Sequence, residues 1–284
     1  MQTRSEARLV CFAPAKLNLF LHVIGRREDG YHLLETLFRF IDHGDSLSYT
    51  LRRDGLVQRV GDCAGIPPDR DLAVRAGRLL QEVSGVRAGA DISVDKRLPV
   101  GAGLGGGSSD AATTLIALNR LWNLGWRRQR LQDLALRLGA DVPVFVFGRT
   151  AFAQGVGEHL RAVVLPPAWY VVLVPRVAVA TAEIFSAPDL TRDSTPIKIP
   201  AFSAGAGRND LEVVCCRSYP EVAEHLRWLR QHAPAAMTGS GACVFAAFDD
   251  RAAAEGVLRR LPPSMRGFVA AGLDRHPLLD WVHD

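Results

Sequence analysis

The chain has 284 residues, of which 48% are apolar and 23% charged, with five cysteines. That length and apolar content fill one large or two ordinary domains and exclude a small scaffold that depends on disulfides. A net charge of +4 comes without any run of Lys or Arg, which suits a small anionic substrate and excludes the clustered basic face that nucleic acid requires.

The first residues, MQTRSEARLV, hold no long apolar core, and no stretch reaches the ~18 apolar residues of a membrane span. A cytoplasmic protein is expected, acting on a small molecule as a monomer or weak homodimer, without a membrane or nucleic-acid partner. Cys11, Cys63, Cys215, Cys216 and Cys243 form no CxxC pair, so buried free thiols are expected.

Residues 9–13 predict the beginning of a strand, punctuated by Pro14. From Lys16 to Val23 the chain alternates, with Leu17, Leu19, Leu21 and Val23 on one face and Lys16, Asn18, Phe20 and His22 on the other. A lysine there is ordinarily solvated, and it gains chemical interest only with a carboxylate partner. A turn over 26–30 precedes Tyr31 and His32, which either offer a stacking surface with polar edges to a base or sugar or simply cap a core. Residues 33–51 predict further strands, with a turn at His43, Gly44 and Asp45.

After a loop over 62–71, Asp71 is expected to cap a helix over 72–83. Alternation at Ala90, Ile92, Val94 and Lys96 then predicts a strand leading into PVGAGLGGGSSDAA, residues 99–112. Ala111, Leu115, Leu118 and Trp122 fall on one helical face, which predicts a helix over 109–122 with Ser108 or Ser109 as its N-cap. A glycine loop opening onto a helix N-terminus aims free N–H groups and the positive dipole end at one point, which suits a phosphate. A flexible linker would lack that strand and helix. No Lys-Ser or Lys-Thr pair follows, so the loop is not a Walker A loop. Gly101, Gly103 and Gly106 satisfy GxGxxG, but the lead-in Lys96 to Pro99 and the helical setting of Asp133 depart from a dinucleotide site.

A further helix carries Leu131, Leu134, Ala135 and Leu138 and ends at Gly139. Asp141 is the sole acid between Gly139 and Gly148. Burying an unpaired carboxylate is expensive, so Asp141 is an N-cap or loop acceptor, a general base, or the partner of a lysine. Residues 152–157 and Pro166-Pro167 predict a boundary near 155–165. The second half reads as a strand over 170–174, a loop with Thr181, a Pro-rich stretch to Phe202, a helix opened by Asn209-Asp210 and a helix over 220–231. A small glycine loop in MTGSGACVFAAF feeds a strand over 243–248, followed by a helix over 251–261 and a strand over 267–272. The alternation is ferredoxin-like.

Three stretches in order, APAKLNLFLHVIGRREDGYH, PVGAGLGGGSSDAA and TGSGACVFAAF, resemble the first, second and third motifs of the galactokinase, homoserine kinase, mevalonate kinase and phosphomevalonate kinase superfamily. The resemblance runs from Ala13 to about Gly272. It implies a two-domain α+β small-molecule kinase fold: an N-terminal nucleotide-binding α/β domain with a glycine-rich loop, residues 1–160, and a ferredoxin-like C-terminal domain, residues 161–284. It implies Asp141 as catalytic base with Lys16 as its partner. ATP is implied along Pro99, Val100, Gly101, Ala102, Gly103, Leu104, Gly105, Gly106, Gly107, Ser108 and Ser109, with Lys96 nearer the adenine. The first motif takes the form of the branch that phosphorylates the 2-hydroxyl of a cytidine-diphosphate-linked methylerythritol in non-mevalonate isoprenoid synthesis. On that resemblance Asn18, Tyr31, His32 and Thr181 match its cytidine-diphosphate substrate site. Mg²⁺ is implied as well, with Ser108, Ser109 and Asp110 as candidate oxygens. Ala102 stands where the family often has glycine, and Asp71 where it commonly has asparagine. Against this stand three alternatives: a homoserine- or mevalonate-type alcohol as substrate, a nucleotide-binding module without transfer, and an oxidoreductase.

Overall fold

The computed structural model describes residues 8–61, 65–197 and 208–284. Its first two strands, β1 (Arg8–Arg26) and β2 (His32–Arg52), pair antiparallel along almost their whole length. Both outrun the sequence expectation. Pro14 does not stop β1, because the missing N–H is absorbed by a register shift between Pro14 and Ala15. The turn predicted at 43–45 is continuous strand. Gly44 lies opposite Pro14, and a Cβ there would stand 2.1 Å from the Ala13 carbonyl oxygen, so the glycine serves close approach of two strands. A second shift between Asn18 and Leu21 interrupts the alternation. Phe20 consequently packs with Leu37 and Phe152, while Leu21 and Val23 join a different cluster.

The chain continues through β3 (Val57–Arg59), α1 (Leu72–Ser84), β4 (Gly89–Asp95), α2 (Gly106–Leu121), α3 (Arg128–Leu136), α4 (Val142–Phe147) and the hairpin β5 (Ala151–Gly155) and β6 (His159–Ala162). Asp71 caps α1 as expected: its carboxylate accepts from the Ala73 N–H at 2.9 Å and is held by Arg59 at 3.0 Å. Neither Ser108 nor Ser109 caps α2. Gly105 occupies that position with φ +72° and no side-chain cap, and the Ser109 hydroxyl instead donates to the Pro14 carbonyl at 2.7 Å, tying α2 to β1. α2 is buried on most of its surface, between α1, α4, β1 and β2.

The remaining elements are β7 (Trp169–Leu173), α5 (Thr181–Ser186), α6 (Glu212–Ser218), α7 (Pro220–Arg230), β8 (Ala235–Met237), β9 (Val244–Phe248), α8 (Arg251–Leu258) and β10 (Gly267–Leu273). Thr181 opens α5 where the sequence predicts a loop. Part of the Pro-rich stretch, residues 198–202, lies outside the described residues, as does Cys63. The strand order β10-β7-β9-β8 is antiparallel throughout and, with α7 and α8 as crossovers, is the ferredoxin-like arrangement. β10 also pairs with β2 at Gly272–Ile41 and Leu273–Phe40, joining ten strands among the described residues.

One core cluster lies between the N-terminal strands and α1, α2 and α4. A second fills the ferredoxin-like part. Between them, Ala15, Leu17, Leu98 and Leu104 pack with Tyr170, Val172 and Phe245 in a shared cluster. Cys11, Cys215 and Cys243 are buried thiols, each pushed up to about 12 by that burial. No helix among the described residues is long and apolar enough to cross a membrane.

Candidate active site

Four segments converge at the head of α2: Lys16 and Asn18 on β1, the glycine loop before α2, the glycine loop before β9, and Asp141 at the head of α4. The two loops meet closely because Gly103 carries no side chain at the contact. Gly103, with φ +78°, would place a Cβ 2.2 Å from the Thr238 carbonyl oxygen.

The Lys16 ammonium has three donors. One goes to the Asn18 carboxamide oxygen at 2.5 Å and one to the Gly103 carbonyl at 2.9 Å, while the Asp141 carboxylate lies 3.4 Å away. Asn18 is itself fixed. Its Nδ2 donates to Thr36 Oγ1 at 2.9 Å and its N–H to Thr238 Oγ1 at 2.9 Å, which leaves only Oδ1 to face the lysine. The Lys16 side chain is 3% exposed, whereas Asp141 is 39% exposed. Asp141 sits at the N-cap position of α4 without making a capping bond, so its carboxylate is open to a ligand.

A cavity of about 580 Å³ opens over this pair. Lys16, Asn18, Lys96, Pro99, Val100, Gly101, Ala102, Gly103, Gly105, Gly106, Gly107, Ser108, Asp141 and Thr181 all line it, as the sequence expectation requires. Four expected residues do not. Leu104 turns its side chain into the shared core, and its carbonyl accepts from the Lys16 N–H at 3.0 Å. Ser109 is buried with its N–H donated to the Gly105 carbonyl and its hydroxyl to Pro14, so it has nothing left for a phosphate. Tyr31 is 64% exposed. His32 stands behind Phe185, whose ring, 5.1 Å away between centroids, does line the cavity.

The loop presents free donors. No hydrogen bond among the described residues takes the N–H groups of residues 101–108, and the uncapped N-terminus of α2 points its dipole the same way. Ala102 is compatible with the loop, because the sole non-glycine residue at positive φ among the described residues is Asn123. Thr181 and Ser240 share a hydroxyl–hydroxyl bond of 2.8 Å on the far wall.

Lys96 is not free to act alone. Its ammonium donates to Asp45 at 2.5 Å and to Asp110 at 2.7 Å. Asp45 also accepts from the N–H groups of Arg97 and Leu98, which anchors the lead into the loop. Burial, reinforced by Asp45 and opposed by Lys96, pushes the Asp110 carboxyl up to about 7. Burial would lower Lys96, but Asp110 and Asp45 outweigh it and hold the ammonium above its usual value. Asp110 Oδ1 is buried beside the cavity without a partner among the described residues.

Sequence reasoning missed Thr36, Asp45, Thr238 and Asn209. Asn209 donates to the Met237 and Gly239 carbonyls and so closes the second glycine loop. The glycines of TGSG were the available signal for that loop, whereas Asp45 reads locally as a turn residue.

Two family profiles match the chain: the GHMP kinases N-terminal domain over residues 71–149 and the GHMP kinases C-terminal domain over residues 192–266. A relative from Nitrosospira multiformis is 61% identical over 98% of this chain and 96% of its own length. Another from Thiobacillus denitrificans is 63% identical over 95% and 97%. Both are named 4-diphosphocytidyl-2-C-methyl-D-erythritol kinase. A crystal structure of 4-(cytidine 5'-diphospho)-2C-methyl-D-erythritol kinase superposes with a TM-score of 0.81 at 34% identity, covering 93% of this chain and 99% of that one. Homoserine kinase from Cytophaga hutchinsonii shares the fold, with a TM-score of 0.67 at 17% identity over 97% of each chain.

Proposed function

Because the chain belongs to the GHMP kinases, a family of phosphotransferases, we propose that it transfers the terminal phosphoryl group of ATP to the 2-hydroxyl of 4-diphosphocytidyl-2-C-methyl-D-erythritol. The observation that carries this reading is the Lys16–Asp141 pair at the open end of an anion-binding glycine loop. The step belongs to non-mevalonate synthesis of isoprenoid precursors, in the cytoplasm, and the enzyme works as a monomer or weak homodimer.

Phosphoryl transfer asks a protein for position and charge stabilisation. The N–H groups of residues 101–108 and the α2 dipole hold the phosphates, and Lys16 offsets charge that spreads from the transferred group. Asp141 takes the proton of the attacking hydroxyl. Asn18, Thr36 and Thr238 keep the lysine in place. Ser108 and Asp110, whose Oδ1 has no partner among the described residues, are the protein oxygens fitted to Mg²⁺, which would neutralise the phosphates when bound. Asn18 and Thr181 face the substrate directly, His32 contributes from behind Phe185, and Tyr31 presents its exposed ring beside His32 in the chain. Residues 1–160 supply the nucleotide side and residues 161–284 complete the substrate side, with β1 serving both.

The test is ADP release from purified protein with Mg·ATP, with and without 4-diphosphocytidyl-2-C-methyl-D-erythritol, together with Asp141→Asn. Substrate-dependent ADP and a new phosphomonoester resonance are expected, with a fall in kcat of roughly 10²–10⁴ in the variant at unchanged melting temperature. Wild-type turnover in Asp141→Asn would remove the base, and no ADP with this alcohol would remove the substrate.

A further inference from the structure

Arg192 does not line the cavity, yet its guanidinium ties together the two groups that back the cavity's aromatic wall. Its Nε donates to His32 Nε2 at 3.1 Å. Its other nitrogens donate to the carbonyls of Leu190 at 3.0 Å, Phe185 at 3.1 Å and Ala187 at 2.7 Å. Those carbonyls lie at and beyond the C-terminal end of α5, where helical geometry leaves acceptors unsatisfied. One planar fork therefore holds the Phe185–Leu190 segment against the first residue of β2.

The bond to His32 has a chemical consequence. Arginine stays charged and can only donate, so His32 Nε2 must present a lone pair and the ring proton must sit on Nδ1. Protonating the ring would set N–H against N–H beside a cation. The charges acting on His32 are Arg192 and Arg26, both positive, and with burial, the leading cause, they lower its proton affinity. Asp189, the acid nearest Arg192 in sequence on its N-terminal side, is engaged by Arg217. Nδ1 has no partner among the described residues.

We infer that Arg192 is a positioning residue, which locks His32 as the neutral Nδ1–H tautomer and fixes Phe185 against it, so that the wall facing the base of the substrate is rigid and uncharged. This rests on the cytidine-diphosphate reading above. The ring face of Phe185 then meets the pyrimidine, with the neutral His32 ring packed behind it. A lysine at 192 would keep the charge but could not span four acceptors.

The test uses long-range ¹H–¹⁵N spectra of the histidine rings from pH 5.5 to 8, with His32 assigned by His32→Gln. The expected result is a protonated Nδ1 and an unprotonated Nε2 whose shifts do not move across the range. An Nε2–H tautomer, or a titration midpoint near the ordinary ~6.5, overturns the inference. In Arg192→Gln and Arg192→Lys, KM for the cytidine substrate is expected to rise about tenfold while KM for ATP holds. In Arg192→Gln the substrate KM should also climb as pH falls below ~6.5, where His32 regains its proton. A variant with wild-type KM and a wild-type tautomer overturns the lock. The spectra need no substrate. Failure of the substrate reading would therefore show as absent ADP with an intact tautomer, and failure of the lock as the reverse.

Discussion

Lys16 is buried with an oxygen in reach of each of its donors, the Asn18 carboxamide, the Gly103 carbonyl and the Asp141 carboxylate. His276 shows the converse case. It is 2% exposed, its Nδ1 accepts from the Leu278 N–H at 3.1 Å, and its Nε2 has no partner among the described residues. Burial, with Arg128 adding to it, pushes the imidazole down to about 3, so the folded protein keeps this ring neutral. The unfolded chain takes up a proton near 6.5, which the folded chain refuses. Stability from this group is therefore complete above pH ~6.5 and falls by about 1.4 kcal/mol per pH unit as pH drops toward 3. Urea midpoints at pH 7.5 and pH 5 should show His276→Gln losing about 2 kcal/mol less than wild type over that interval. Equal losses in the two proteins would mean that His276 is protonated in the folded state.

At the scale of elements, the glycine loop is held from two sides, by Asp45 at its entry and by the loop before β9 at its turn. Its glycines are not equivalent. Gly101 has φ +67° and open space where a methyl group would stand, so alanine there meets only the backbone cost of about 1 kcal/mol. Gly103 has φ +78° and the Thr238 carbonyl oxygen 2.2 Å from the Cβ position, so alanine must push the loops apart. Gly103→Ala is expected to lose at least about a hundredfold in kcat/KM for ATP, against less than roughly tenfold for Gly101→Ala. ADP-release kinetics on the two variants would check this, and equal losses would show that loop contact is not what places Lys16. The longer helices were legible from their period, as α1 with its Asp71 cap and the body of α2 demonstrate, whereas α4 and α5, six residues each, are too short to show one. The strands were not legible in full, because Pro14 and Gly44 carry local signals for a stop and a turn. Their real role appears only when the two face each other across the β1–β2 ladder.

For the whole molecule, β1 and β2 run through both parts, and the cluster around Leu17, Leu104, Tyr170 and Phe245 belongs to neither alone. Thermal unfolding should therefore be one cooperative transition, with calorimetric and van't Hoff enthalpies equal. Two resolved transitions in scanning calorimetry would show that the parts fold independently. The sequence by itself determined the longer helices, the strand-loop-helix setting of residues 99–108 and the shared face of Lys16 and Asn18, since periodicity and glycine spacing are properties of neighbours along the chain, while the pairing of Lys16 with Asp141 was implied by the resemblance alone. Only the tertiary structure decided that Lys16 and Asp141 stand 3.4 Å apart, that Lys96 is shared by Asp45 and Asp110, and that Ser109 and Leu104 face inward. Those facts depend on contacts between segments far apart along the chain, which burial and strand register bring together and no local pattern encodes.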